Sequence, residues 1–76
     1  MKHKKGDMVT IRSYKDMQRE FKTIVLGGSE ILSNGFSRNM SYLCGNTYEI
    51  RMVYKDEYRI NDEIWSISDS MLEDDK

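Results

Sequence analysis

Asn46-Thr47-Tyr48-Glu49-Ile50-Arg51-Met52-Val53-Tyr54, with Lys55-Asp56-Glu57, Tyr58-Arg59-Ile60, Asn61-Asp62 and Glu63-Ile64-Trp65-Ser66-Ile67-Ser68 after it, is the stretch that decides the fold. β-Branched and aromatic residues crowd its first segment, as suits a pleated, half-buried surface. Alternation with period two puts Tyr48, Ile50, Met52 and Tyr54 on one face and Thr47, Glu49, Arg51 and Val53 on the other. Lys55-Asp56-Glu57 makes a tight connection and Asn61-Asp62 a second turn, so three successive strands form an antiparallel meander. Asp69-Ser70-Met71-Leu72-Glu73 reads as a single closing turn, with Met71 and Leu72 capping one end of the core.

Toward the N-terminus, proline is absent and Gly, Asn, Asp and Ser supply the punctuation. Gly6-Asp7 precedes Met8-Val9-Thr10-Ile11-Arg12, where Val9 and Ile11 alternate with Thr10 and Arg12 as in a half-buried strand. Ser13 with Asp16 three residues on resembles a shortened capping box, and Tyr14, Met17 and Phe21 then share one helical face. Thr23-Ile24-Val25-Leu26 is expected as a short strand ended by Gly27-Gly28. Ile31-Leu32 and Phe36 add apolar material around the Ser33-Asn34-Gly35 turn. Ser37 is placed to cap one more helical turn, Arg38 to Leu43, stopping near Cys44-Gly45. Val9, Ile11, Ile50, Met52, Ile60, Trp65, Ile67 and Leu72 are expected to form most of the core, with Trp65 its largest anchor.

A chain of 76 residues is one domain, with little room for a deep catalytic cleft. Residues 1–5 read as a basic flexible tail, 6–73 as the domain and 74–76 as an acidic flexible tail. The formal net charge of −1 argues against a protein whose affinity comes mainly from neutralising phosphates. A single cysteine, Cys44, excludes an intramolecular disulfide and fits a reducing cytosol. No window approaches the roughly 18 apolar residues of a membrane span, so a cytoplasmic location without membrane contact is expected.

One strand, an excursion with short helices, a three-stranded meander and a closing turn together are similar to the Src-homology-3-like small barrel. The Gly6-Asp7-Met8-Val9-Thr10-Ile11 opening resembles the first strand of that class. More specific are Phe36, Met40, Leu43-Cys44-Gly45-Asn46-Thr47, Tyr58-Arg59-Ile60 and Trp65-Ser66-Ile67-Ser68 with Met71-Leu72-Glu73. Together they resemble a group of short proteins encoded in bacteriophage and prophage genomes, over nearly the whole chain from Gly6 to Glu73. The resemblance implies a mainly β domain, a five-stranded antiparallel barrel with one or two short helices in its first half. It also implies a phage accessory role, in which a host protein such as a bacterial defence nuclease is bound and modulated or inhibited, as by an anti-CRISPR protein. It supplies no catalytic residue. The aromatic Ala-Leu-Tyr-Asp-Tyr run with which signalling Src-homology modules grip proline-rich peptides is missing.

Residue by residue, the expectation is binding without catalysis. Cys44 has no histidine partner, since the only one, His3, lies in the basic tail, and it reads as a packed thiol. His3 alone makes no metal site, and Gly27-Gly28-Ser29 lacks the lysine and helix of a phosphate loop. No cofactor and no metal are expected. Tyr42, Tyr48, Tyr54 and Tyr58 are too many for so small a core, and exposed tyrosine beside arginine is the usual make-up of a protein-binding surface. Tyr48, Arg51, Tyr54, Tyr58 and Arg59 are therefore the candidate partner-binding residues. A host or phage protein is the expected partner, engaged by this surface or by pairing at a strand edge. The alternative is a small barrel that stacks single-stranded nucleic acid on the same aromatic and basic residues.

Overall fold

The computed structural model describes residues 2–61 and 64–73. Six strands run β1 (Met8–Thr10), β2 (Thr23–Leu26), β3 (Ser29–Leu32), β4 (Thr47–Tyr54), β5 (Glu57–Ile60) and β6 (Ser66–Ile67). Helix α1 (Tyr14–Glu20) follows β1, and 3-10 turns span Arg38–Leu43 and Asp69–Met71. All strand pairing is antiparallel: a four-stranded sheet ordered β1-β4-β5-β6, and a separate β2-β3 hairpin. The protein is thus a mainly β domain with short helices, and among the described residues its sheets do not close into a barrel.

Local chemistry accounts for most boundaries. The Ser13 hydroxyl accepts from the Asp16 amide at 3.1 Å, which starts α1 where the sequence places it. Gly27 and Gly28 both take positive φ, 56° and 83°. Two such residues form a hairpin turn, so the chain folds straight back and Ser29–Leu32 pairs with β2 from Leu26↔Ser29 to Thr23↔Leu32. The glycine pair therefore joins two strands, where the sequence reading had it only end one. Ser37 begins the Arg38–Leu43 turn, its hydroxyl accepting from the Asn39 amide at 3.2 Å.

The core holds six of the eight residues expected there, Val9, Ile11, Ile50, Ile60, Ile67 and Leu72. Met52 and Trp65 correct the reading. Met52 is 51% exposed, and Trp65 is only partly buried, packed against the core edge. Their places are taken by Tyr58, Phe36, Leu32, Leu43, Met40 and Met17, so the middle of the chain fills the space beneath the sheet.

Met52 is misplaced by strict alternation because β4 does not alternate strictly. Ile50 lies opposite Ile60, Met52 opposite Arg59, Val53 opposite Tyr58 and Tyr54 opposite Glu57, with an irregularity between Ile50 and Met52. Arg51 is the extra residue of a β-bulge. Beyond it the faces exchange: Val53 shares the core side with buried Tyr58, and Met52 and Tyr54 turn to the outer face with Arg59.

The two ends of the domain meet at Ile11 and Leu72, which form an isolated antiparallel bridge. Beside it the Arg12 amide donates to the Met71 carbonyl at 2.9 Å. The Arg12 side chain, 3% exposed, donates to Asp16, Glu20 and the Ser70 carbonyl at 2.9–3.0 Å. Burial alone would lower its pKa, but the carboxylates of Asp16 and Glu20 more than offset that and raise it. Arg12 therefore ties α1 to the closing turn as a fixed cation. Part of the expected basic tail is also tied down, since the His3 amide donates to the Tyr58 hydroxyl at 3.1 Å and the Lys4 amide to the Asp7 carboxylate at 3.0 Å. The expected acidic tail 74–76, and the Asp62 and Glu63 portions of the second turn and last strand, lie outside the described residues.

Candidate functional site

The four-stranded sheet covers the core with one face and leaves the other open. From the pairing, Met8, Glu49, Met52, Tyr54, Glu57, Arg59 and Ser66 stand on the outer face. Met8 is 63% exposed and Tyr54 54%. Where the bulge widens β4, Arg51 and Met52 come up beside Arg59, and with Lys5 they line one shallow hollow. Lys5 reaches it because the Gly6 amide and the Asp7 carbonyl are both bonded to the backbone of Ile50, the residue before the bulge.

Three of the five expected binding residues are thus on one face: Arg51, Tyr54 and Arg59. The other two are not. Tyr48, opposite core residue Val9, packs partly buried against the core from the inner side. Tyr58 is fully buried, a correction to its reading as a surface residue. Its hydroxyl donates to Asp69 at 2.5 Å and accepts from the His3 amide, so the polar tip is satisfied inside the fold. Burial first, and the bond to Asp69 second, push the Tyr58 pKa up to about 12.

Sequence reasoning missed Lys5 and Met52. One was assigned to a free tail, and the other to the core by an alternation that the bulge interrupts. No glycine or proline marks the bulge, and Arg51 fits a regular alternation with Thr47, Glu49 and Val53, so no local signal could have found it.

Other polar groups serve the fold. The Tyr14 hydroxyl donates to Glu30 at 2.9 Å, which clamps α1 to the β2-β3 hairpin. Burial, then that bond, raises the Tyr14 pKa. Trp65 Nε1 donates to the Tyr42 hydroxyl at 2.9 Å at the surface. The partly buried Cys44 thiol has its pKa raised by desolvation, which holds it in the less nucleophilic protonated form. Among the described residues no group of three or more His, Cys, Asp and Glu is placed to hold a metal ion. No described helix is long and apolar enough to cross a membrane.

Fold and site together define a small antiparallel β domain with an open sheet face that carries cations and apolar side chains side by side. No protein-family model, curated protein or solved structure matches the chain.

Proposed function

We propose that this chain is a non-enzymatic binding protein that seats a partner protein on the outer face of its four-stranded sheet. One observation carries the reading: the bulge at Arg51 gathers Arg51, Met52 and Arg59 into one hollow, with Tyr54 on the same face. Arginine, methionine and tyrosine are the residue types enriched where proteins meet. The protonated Cys44 thiol favours binding over covalent chemistry.

In the finer form of the proposal, the domain is a Src-homology-3-like small barrel of the phage accessory kind, and its partner is a host protein that it modulates or inhibits, with a bacterial defence nuclease the leading example. The chain order supports the first half, because after β6 and a 3-10 turn Leu72 returns to pair with Ile11, next to β1. The second half rests on the resemblance of the sequence to short phage-encoded proteins.

A second reading, single-stranded nucleic-acid binding, is favoured by Lys5, Arg51 and Arg59 converging on the face that carries Tyr54. Capture from bacterial lysate separates the two. The tagged domain is expected to retain a discrete polypeptide after nuclease treatment, and Met52→Ala with Tyr54→Ala to weaken retention by about 1–3 kcal/mol without unfolding the domain. Recovery of single-stranded DNA and no protein, with affinity that collapses as salt rises, would overturn the choice.

A further inference from the structure

The hollow formed by Lys5, Arg51, Met52 and Arg59 has no acidic residue in its lining. Of the three other arginines two are neutralised, Arg12 by Asp16 and Glu20 and Arg38 by Glu30. The side chains of Lys5, Arg51 and Arg59 make no hydrogen bond or ion pair among the described residues. Arg59 Nε is moreover covered and lacks an acceptor. A covered, unpartnered donor carries an uncompensated desolvation cost. Three like charges gathered without a counterion add repulsion to it. Both costs are relieved when an anion occupies the hollow.

The surroundings restrict that anion. Glu57 stands on the same face opposite Tyr54, and Glu49 opposite Met8, so carboxylates bracket the cationic centre along the sheet. A nucleic-acid strand, charged at every nucleotide, would carry phosphates across those carboxylates as well as across the cations. A compact anionic group meets the cations alone. Arginine forks match a carboxylate in paired, charge-assisted bonds, and Met8, Met52 and Tyr54 offer apolar contact at its margins.

We infer that this hollow is a carboxylate-binding anchor that takes a short acidic stretch of the partner protein, flanked there by an apolar side chain. The inference rests on the protein-binding reading above and names the chemistry of what is bound.

The test is a titration of the isotope-labelled full chain, followed by amide and arginine Nε–H resonances, at about 0.15 M salt. The probes are the blocked peptide Glu-Glu-Leu-Glu-Glu, its counterpart with every Glu replaced by Gln, and a thymidine hexanucleotide. The acidic peptide is expected to shift resonances of Lys5, Arg51, Met52 and Arg59, and the Gln peptide to bind about tenfold or more weakly, a difference of about 1.4 kcal/mol. The double variant Arg51→Gln with Arg59→Gln, its fold checked by unchanged core resonances, is expected to lose the acidic peptide to a similar degree. Equal binding of the Gln peptide, shifts confined to other residues, or no binding of the acidic peptide would overturn the anchor. Tighter binding of the hexanucleotide at the same residues would overturn it in favour of nucleic acid. If the double variant still retains a captured protein that Met52→Ala with Tyr54→Ala releases, the anchor falls while the protein-binding reading stands.

Discussion

The Tyr58 hydroxyl donates to Asp69 Oδ1 at 2.5 Å, joining the middle strand of the meander to the closing 3-10 turn. Because the same oxygen accepts from the His3 amide, one buried phenol holds three parts of the chain together. Tyr58→Phe is expected to cost about 1–3 kcal/mol, since it strips Asp69 and the His3 amide of a partner. Urea unfolding at neutral pH measures it, and an unchanged midpoint would count against the role.

Alkaline stability follows from the same bond. The folded pKa of Tyr58 is raised from 10.0 to about 12, so between these values the unfolded chain gives up a proton that the folded one keeps. The stability that Tyr58 contributes is therefore complete below about pH 10 and is lost as pH rises toward 12. Unfolding free energy measured across that window should fall less steeply in Tyr58→Phe than in the parent.

Phe36 and Trp65 invert the ranking that size alone suggests. Phe36 is fully buried, whereas Trp65 is partly exposed and shares a surface hydrogen bond with Tyr42. Phe36→Ala is expected to cost about 3–5 kcal/mol, and Trp65→Ala distinctly less. Paired denaturation curves decide it, and a larger loss for Trp65→Ala would restore the tryptophan as principal anchor.

Lys55 is the only described non-glycine residue with a positive φ, 44°. It sits in the two-residue turn between β4 and β5, where a side chain with a Cβ is held in the left-handed region at a cost of about 1 kcal/mol. Lys55→Gly should recover part of that cost, a gain of about 0.5–1 kcal/mol visible as a higher melting temperature. A lower melting temperature would show the turn to be unstrained.

Cys44 should alkylate slowly. With its thiol pKa raised by desolvation, iodoacetamide at neutral pH is expected to modify the folded protein more slowly than a free thiol. Cys44→Ser should leave partner binding intact. Fast modification, or loss of binding in a folded serine variant, would bring a nucleophilic role back.

How far the sequence disclosed all this can be followed at single residues. Up to Ile50 the alternation is regular and the core positions Val9, Ile11 and Ile50 were legible from it. At Arg51 the alternation breaks with no residue type that announces a bulge, so Met52 was given to the core, while Tyr48, before the bulge and on the side of Ile50, was given to the site on the number of tyrosines. Tyr58 was read as surface because four tyrosines looked too many for so small a core and Arg59 stands beside it. The partner for its hydroxyl, Asp69, lies 11 residues away in the chain and becomes visible only in the fold. The site was legible as chemistry in Arg51, Tyr54 and Arg59. Its assembly was not, because Lys5 reaches it through backbone bonds to Ile50 that no local pattern encodes.

The bulge also has a meaning for how such a surface changes over generations. Insertion or deletion of one residue in a strand normally turns every later side chain to the opposite face. Here Ile50 pairs with Ile60 and Met52 with Arg59, which are successive partners, so Arg51 is supernumerary in the ladder. Loss of that one codon would leave the pairs on either side as they stand, straighten the strand and remove one cation from the hollow. The outer face is thereby free to vary in length at its centre, by a single in-frame step, while the buried side keeps its registration.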